Sequence, residues 1–371
     1  MRVNPLVQLG AVGQSPWLDH ITRDLLQTGE LQRLIAEDGV RGMTTNPTIF
    51  ERAMAGSGRY DADIRTLADS DLKPAEIFEA VAVADVRVAC DLFRPLYDQS
   101  NGGDGFVCIE VSPELANDTD GTVREARRLW EAIARPNVMI KIPGTAEGLA
   151  AITRCLARGL NVNVTLLFSV ERYRQVGEAY FVALEQRHAR REPINRVASV
   201  ASFFVSRLDS KLDPALGRSE DAAVRALKGT IAVANALVAY ETFQQMFRGP
   251  RWEALARNGA RVQRPLWAST STKDPSLPDT YYVEALVAPD TVNALPPETL
   301  AAYRDHGRPT LSLEQVLPEA KRRLQALTSA GIDLEATTRE LEVEGVRKFA
   351  ASYAALLTGV AHKATALSGT P

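Results

Sequence analysis

Short apolar runs alternate with longer amphipathic segments along most of this chain of 371 residues. Eight of these runs have the length and composition of buried strands, and helical patterns separate nearly all of them. They cover residues 16–21, 40–47, 106–113, 137–145, 161–169, 196–209, 264–272 and 280–292. Strands that alternate with helices form a parallel sheet, because each helix carries the chain back to the edge where the next strand begins.

Eight such units predict an α/β fold, a closed (β/α)8 TIM barrel, which usually needs about 250 residues plus insertions. A doubly wound sheet is the alternative, but it usually has a glycine-rich phosphate loop after its first strand. The segment LDHITRD contains no such loop.

A helical stretch from Thr48 to about Gln99 is predicted to break near Lys73-Pro74. The helical patterns in residues 312–371 predict a C-terminal helical cap on a single barrel domain covering residues 1–371.

The composition excludes several classes of partner. A net charge of −3 gives no basic surface for nucleic acid and no polybasic membrane patch. No apolar run is long enough to span a membrane, and the N-terminus lacks the apolar core of a secretory signal. Three cysteines do not form a disulfide framework, which favours a reducing compartment. We therefore expect a cytoplasmic protein; its oligomeric state is not readable, and a homo-oligomer remains open.

Polar residues occur late in the predicted strands, where a parallel barrel places its active site. In chain order they are Asp19, Asn46, Glu110, Lys141, Asn163, Thr165, Ser202, Arg207, Ser269 and Ser271. The carboxyl ends of all strands meet at one rim, so these side chains are predicted to form a common site.

Lys141 stands inside the apolar run NVMIKIPGT, where a charged amine is costly to bury. Only eight of the 43 basic residues are lysine, so a lysine in such a place indicates that an amine is needed. A desolvated lysine can act as a nucleophile on a carbonyl and form a Schiff base. Arginine cannot do this chemistry. Glu110 and Asp19 are candidates for the proton transfers that accompany imine formation and carbon–carbon bond cleavage.

Each of these residues also has a structural explanation. Asp19 could cap the helix that follows it. Lys141 and Glu110 could form a plain structural ion pair, and Arg207 could neutralise an acid on its own segment, such as Asp209. These alternatives are open at the level of single residues, but together they account poorly for polar groups on so many strands.

Several motifs in a fixed order resemble the transaldolase family, in particular its longer bacterial group, which also occurs fused to phosphoglucose isomerase. They are GMTTNPTIF, VCIEVSP, NVMIKIPGTAEG, NVNVTLLFS, ASFFVSRLDSKLD and LWASTSTK, and the resemblance covers about residues 15–310. It implies an enzyme of the pentose phosphate pathway that needs no cofactor and no metal. The enzyme would move a dihydroxyacetone unit from sedoheptulose 7-phosphate to glyceraldehyde 3-phosphate through a lysine Schiff base.

The resemblance also implies roles for the catalytic residues. Lys141 matches the Schiff-base lysine. Glu110 matches the acid that moves protons during imine formation, together with a water molecule held by Thr165. Asp19 matches the acid/base for cleaving and forming the C3–C4 bond.

A further set of residues matches the substrate-binding positions of the family. Asn46 and Asn163 match the amides that hold substrate hydroxyls or the imine. Ser202 and Arg207 fit the S-x-x-x-x-R pattern that binds the sugar phosphate, and Phe204 matches an aromatic residue of the pocket wall.

The seventh strand departs from the better-known members, which carry Ser-x-Arg there as a phosphate clamp. Ser269 matches the serine, but no arginine follows, and Lys273 is predicted to supply the second charge.

Two other functions remain open. One is a related aldolase, like fructose-6-phosphate aldolase, that releases free dihydroxyacetone; the other is a non-catalytic barrel that binds sugar phosphates.

Overall fold

A computed structural model describes residues 4–70, 72–311 and 313–368, so both ends of the predicted 1–371 domain and the first residue of the predicted cap lie outside the described residues. Eight parallel strands form a closed barrel in chain order. They are β1 (Gln14–Asp19), β2 (Gly42–Thr44), β3 (Phe106–Glu110), β4 (Val138–Pro143), β5 (Val162–Leu167), β6 (Ser199–Phe204), β7 (Arg264–Ala268) and β8 (Thr291–Leu295). The predicted (β/α)8 architecture is confirmed.

Helices surround this barrel and connect its strands. They are α1 (Pro5–Ala11), α2 (Arg23–Gln27), α3 (Glu30–Glu37), α4 (Pro47–Gly56), α5 (Asp61–Ala68), α6 (Pro74–Gln99), α7 (Thr119–Ile133), α8 (Ala146–Ala157), α9 (Val170–Ala189), α10 (Ser206–Leu216), α11 (Ala222–Arg225), α12 (Ile231–Met246), α13 (Pro250–Arg257), α14 (Tyr281–Ala285), α15 (Pro297–His306), α16 (Leu313–Ser329) and α17 (Leu334–Ser368). The predicted break near Lys73-Pro74 is confirmed, because α6 begins at Pro74.

The register of neighbouring strands brings the polar residues of the sequence motifs together. Glu110 pairs with Lys141 across β3 and β4, and Lys141 pairs with Asn163 across β4 and β5. Residues paired in this way point to the same face of a sheet. All of β4 is buried, so Lys141 lies among apolar neighbours, as the run VMIKI requires.

The prediction for the eighth strand, residues 280–292, was wrong. Residues Tyr281–Ala285 form the short helix α14, and β8 begins only at Thr291. The apolar residues of this segment are buried in the helix, where Tyr282 and Val283 pack into the core. Short apolar runs do not distinguish a buried strand from a buried helical turn.

The sixth predicted strand, residues 196–209, is also too long. β6 ends at Phe204 and α10 begins at Ser206, so Arg207 lies in the first turn of a helix. Backbone hydrogen bonds from Val205 to Ala268 and from Ser206 to Ser269 hold this turn against the end of β7. The site therefore uses the loop and helix that follow the strand as well as the strand itself.

The end of the barrel opposite the predicted site is filled by a buried ionic cluster. Asp104 accepts hydrogen bonds from Arg41, Arg264 and Ser15. Burial opposes ionisation, but the two guanidinium groups hold the pKa of Asp104 below its usual range. The ionic cluster closes this end of the barrel. The other end, where the carboxyl ends of the strands lie, is open.

The C-terminal helix α17 crosses the open end of the barrel. Near its start, Glu344 accepts a 2.6 Å hydrogen bond from Lys211 of α10. Further on, Ser352 accepts a 2.8 Å hydrogen bond from Thr48 of α4, and Lys363 donates to the carbonyl oxygens of Met54 and Ser57. The helix is therefore anchored to units that follow β6 on one side and β2 on the other.

Close approach of α17 to the barrel depends on a glycine. An added Cβ on Gly345 would come within 2.9 Å of the side chain of Leu166 in β5. A larger residue there would require the Leu166 side chain to move.

Candidate active site

A cavity of about 450 Å³ opens at the carboxyl ends of the strands. Ten of the candidate residues line it: Asp19, Asn46, Lys141, Thr165, Ser202, Phe204, Arg207, Ser269, Ser271 and Lys273. Glu110 and Asn163 lie directly behind its wall and contact residues that line it. The structure thus gathers the candidate residues from seven different strand units into one place.

Lys141 and Glu110 form an ion pair at the base of the site. The Lys141 Nζ lies 3.4 Å from Glu110 Oε2, and the two side chains are only 6% and 4% exposed. The ammonium donates a hydrogen bond to the Thr45 carbonyl oxygen at 3.1 Å. An amine on the cavity wall, next to a carboxyl group shielded from water, is the arrangement that carbinolamine and imine chemistry requires.

Three buried oxygen atoms next to the amine have no hydrogen-bond partner among the described residues. They are both carboxylate oxygens of Glu110 and the Thr165 hydroxyl. A buried polar group without a partner in the protein is costly unless a water molecule or a ligand satisfies it. These oxygen atoms are therefore placed to bind a water molecule or a substrate oxygen during proton transfer.

Thr165 is followed by a strained residue. Leu166 adopts φ +63°, and the pairing of β5 with β6 shifts between Val164 and Leu167. A bulky residue in the left-handed region costs free energy that the surrounding packing must supply. Leu166 packs on Gly345 of α17, so the C-terminal helix contributes to that packing.

Burial alters both acids of the site. It raises the pKa of Glu110 to about 7, although the Lys141 charge opposes the shift. Burial also raises the pKa of Asp19 above its usual range, against the charges of Lys141 and Arg207. Acids with raised pKa values can donate and accept protons near neutral pH.

The structure excludes the helix-cap explanation for Asp19. The helix after β1 is capped by Thr22, whose hydroxyl accepts a hydrogen bond from the Leu25 amide at 3.2 Å. Asp19 is the last residue of β1 and lines the cavity instead.

Asn46 serves as a helix cap and as a wall residue at the same time. Its side-chain oxygen accepts a 3.1 Å hydrogen bond from the Ile49 amide at the start of α4. The oxygen is thus committed to the helix, and the NH₂ group is left to donate. An amide held in this way suits the oxygen of a substrate hydroxyl or carbonyl.

Asn163 is held by two side chains. Its NH₂ group donates to the Cys108 sulfur at 3.3 Å, and its oxygen accepts a 2.7 Å hydrogen bond from the Ser202 hydroxyl. Asn163 pairs with Lys141 in the sheet, and Ser202 lines the same cavity as the amine. The Ser202 hydroxyl proton is therefore donated to Asn163 in the wall of this cavity.

Arg207 is oriented by aromatic rings. Its guanidinium carbon lies 4.9 Å from the centroid of Phe204 and 5.9 Å from that of Phe349. Among the described residues it has no hydrogen bond or carboxylate ion pair; Asp209 instead accepts from Tyr282 and the Ala232 amide. Stacking fixes the guanidinium while leaving its five N–H donors available, so the alternative role of neutralising Asp209 is excluded.

The end of β7 places two further polar groups on the wall. Ser269 adopts φ +56°, and its hydroxyl lies 3.0 Å from that of Ser206 in the turn before Arg207. The exposed Lys273 donates a 2.7 Å hydrogen bond to Ser271 and makes no carboxylate ion pair among the described residues. Lys273 is therefore an available cation on the wall that Arg207 also lines.

Sequence reasoning missed several residues of the cavity wall. His20, Arg52 and Glu298 lie near the mouth, and Phe349 reaches the cavity from α17. His20 follows Asp19 directly and could have been found by extending the first motif. No local pattern marks Phe349, because its place depends on how a distant helix packs across the barrel.

Comparison with known proteins shows the family of this chain. The family model described as Transaldolase/Fructose-6-phosphate aldolase matches residues 16–360. The chain belongs to this family. It is 51% identical to a transaldolase of Acidothermus cellulolyticus over 359 residues, which is 96% of each chain. It is 47% identical to a transaldolase of Thermobifida fusca over 366 residues, covering 98% of this chain and 99% of that one.

A third relative is similar over its whole length. The protein named transaldolase 2 of a Nostoc species is 45% identical over 379 residues, covering 99% of this chain and all of that one. Members of the transaldolase/fructose-6-phosphate aldolase family are enzymes, so this chain is an enzyme and the cavity is its candidate active site. Among the described residues, no helix combines the length and the apolar character that crossing a membrane would need.

We expect the rate of covalent adduct formation to fall as the pH rises through about 7, the pKa of Glu110. Loss of water from a carbinolamine requires an acid, and Glu110 ceases to be one when it ionises. The measurement is borohydride quenching of single turnovers across the range from about pH 5 to pH 9. Glu110→Gln should remove this step from the profile; a variant that keeps the same step would assign it to another group.

Proposed function

We propose that the protein is a transaldolase. It transfers a dihydroxyacetone unit from sedoheptulose 7-phosphate to glyceraldehyde 3-phosphate, giving erythrose 4-phosphate and fructose 6-phosphate. The observation that carries the proposal is the buried amine of Lys141, 3.4 Å from Glu110, on the wall of a cavity that Arg207 also lines. The names of the relatives, all transaldolases, support it.

The reaction begins when Lys141 attacks the ketone carbon of the donor. Glu110, with a water molecule held by Thr165, protonates the departing hydroxyl so that the imine forms. The protonated imine withdraws electrons from the neighbouring carbon. Asp19 then accepts the proton of the C4 hydroxyl, the C3–C4 bond breaks, and the first aldose phosphate leaves.

The second half of the reaction uses the same groups in reverse. The bound dihydroxyacetone carbon attacks the aldehyde of the acceptor, and Asp19 returns the proton to the new hydroxyl. Water then hydrolyses the imine and frees Lys141. Asn46, Asn163 and Ser202 hold the oxygens of the three-carbon unit; for Ser202 this replaces the phosphate role predicted from sequence, because its proton is committed to Asn163.

The phosphate group of each substrate binds to cationic and hydroxyl groups that line the same cavity as Lys141. Arg207 offers a planar guanidinium with free donors, Ser269 a hydroxyl, and Lys273 a mobile charge. Phe204 completes the wall and orients Arg207.

The three free thiols of the chain, all buried, support a cytoplasmic location. The contacts of α17 with the barrel support a single domain in which residues 312–371 act as a cap.

The test is transfer in the reverse direction. Incubation with fructose 6-phosphate and erythrose 4-phosphate should yield sedoheptulose 7-phosphate and glyceraldehyde 3-phosphate. Fructose 6-phosphate alone should give little free dihydroxyacetone. Equal release of dihydroxyacetone with and without the acceptor would identify an aldolase instead, and no product or borohydride adduct in either case would indicate a binding protein.

Arg207→Ala should impair phosphorylated donors far more than free dihydroxyacetone. Losing a charge-assisted hydrogen bond costs about 1.5–3 kcal/mol, which is roughly 10- to 150-fold in kcat/KM. Lys273→Ala should act in the same direction with a smaller effect, because this side chain is exposed. The measurement is steady-state kinetics on fructose 6-phosphate and on dihydroxyacetone as donors.

The matched control is Arg196→Ala, which removes an exposed arginine before the other end of β6. It should leave both donors unaffected. Equal losses on both donors in Arg207→Ala would show that Arg207 supports the fold, and would move the phosphate site elsewhere.

A further inference from the structure

Phe349 brings the C-terminal helix into contact with the reaction site. The residue is 6% exposed and lies on α17 between the anchors at Glu344 and Ser352. Its ring centroid is 5.5 Å from the Lys141 Nζ and 5.9 Å from the Arg207 guanidinium carbon. One ring therefore contacts both the amine and the cation that is placed to bind phosphate.

The helix holds this ring in place from both sides. Lys211 forms ion pairs with Glu340 and Glu344, at 3.1 and 2.6 Å, before the ring in the sequence. Lys363 forms a 2.7 Å ion pair with Asp61 after it. Anchors on both sides limit the movement of the ring away from the cavity.

We propose that Phe349 is a specificity-determining and positioning residue that keeps water away from the Lys141-bound intermediate and holds Arg207 for the acceptor phosphate. The inference rests on the proposed transferase function. Its consequence is that the three-carbon unit is passed to a sugar phosphate instead of being lost to water.

The Lys141-bound intermediate can either transfer its three-carbon unit to the acceptor or release it to water. After the first aldose phosphate leaves, the three-carbon unit remains on Lys141 as an enamine. If its carbon takes a proton, the imine returns, and water can add to its carbon. The carbon–nitrogen bond then breaks, releasing dihydroxyacetone and the free amine. An apolar ring beside the nitrogen keeps bulk water from protonating the enamine carbon, whereas the water held at Thr165 hydrolyses the imine after transfer.

The ring also stabilises the orientation of Arg207. A cation–π contact at a desolvated site is equivalent to about a 2- to 30-fold change in binding. Removing this contact should weaken binding of the acceptor phosphate. The intermediate then waits longer for an acceptor and is exposed to water for longer. Both effects raise release relative to transfer.

The experiment measures free dihydroxyacetone formed per transfer, with fructose 6-phosphate as donor and erythrose 4-phosphate as acceptor. Phe349→Ala should raise this ratio several-fold and raise the KM for erythrose 4-phosphate by about 2- to 30-fold. Phe349→Leu keeps an apolar cover but loses the cation–π contact, so its KM should rise while its release ratio increases less.

Tyr353→Leu is the matched control. Tyr353 lies one turn further along α17, packs on Phe78 at 5.9 Å, and does not line the cavity. This variant loosens the same helix without changing the cavity wall, so its release ratio should stay at the wild-type value. An equal rise in Tyr353→Leu would attribute the effect to general loosening of α17 and overturn the proposal.

Failure of the two proposals can be told apart. If the wild-type protein forms no borohydride adduct on Lys141, the proposed function fails. If the adduct forms and the wild-type transfers, but Phe349→Ala keeps the wild-type ratio and KM, only the role of Phe349 is overturned. Thermal unfolding of each variant checks that it is folded. If Phe349→Ala does not fold, Phe349→Leu provides the test.

Discussion

Lys141→Arg should abolish turnover, by at least about 10⁴-fold, and should prevent any covalent adduct with fructose 6-phosphate. The guanidinium keeps the positive charge beside Glu110, so the buried carboxyl group retains its ionic partner. It stays protonated at all accessible pH values and cannot attack a carbonyl. The measurement combines steady-state assays with borohydride trapping and mass mapping of the labelled peptide.

Two further variants make this result specific. Lys228→Arg changes an exposed lysine that pairs with Asp274, and it should retain full activity and full labelling. Lys141→Met is similar in volume to lysine and tests the case in which arginine is too large for the buried site. A label on Lys273 or Lys211 in the wild-type protein would contradict the assignment of the nucleophile.

Glu110→Gln and Asp19→Asn should each slow turnover by about 10²- to 10⁴-fold, but at different steps. Glu110 lies beside the amine and serves imine formation, so its variant should form the adduct slowly. Asp19 lines the cavity at the end of β1 and serves carbon–carbon cleavage. Its variant should form the adduct at a near-normal rate and release the aldose phosphate slowly.

Rapid quenching with borohydride separates these two steps. The time course of adduct formation measures the first, and the release of glyceraldehyde 3-phosphate from fructose 6-phosphate measures the second. Each variant serves as the control for the other, because both replace a carboxyl group with an amide of nearly the same shape. The reverse pattern, with slow adduct formation only in Asp19→Asn, would exchange the two roles.

The architecture could be predicted because it depends on repetition along the chain. Alternation of apolar runs with amphipathic segments was sufficient for a closed barrel of eight strands, which the structure confirms. The boundaries were less predictable where a short apolar run is buried in either conformation. Tyr281–Ala285 reads as part of a strand but is helical, because its surroundings in the fold decide between the two.

Much of the catalytic site was also determined by sequence. A lysine in a buried strand must have a reason to be there, and parallel strands bring their carboxyl ends to one rim whatever their loops do. Lys141, Glu110 and Asp19 could be singled out for this reason. Two of them, Glu110 and Lys141, pair in register across the neighbouring strands β3 and β4.

Only the tertiary structure decided how these residues are held and covered. It assigns the Asn46 oxygen to a helix cap, joins Ser202 to Asn163, and places Arg207 between two aromatic rings. It also brings Phe349 to within 5.5 Å of an amine more than 200 residues earlier in the chain. Periodicity within a helix shows which face is apolar, but it does not show which distant surface that face will meet, because packing of separate elements depends on the shape of the whole fold.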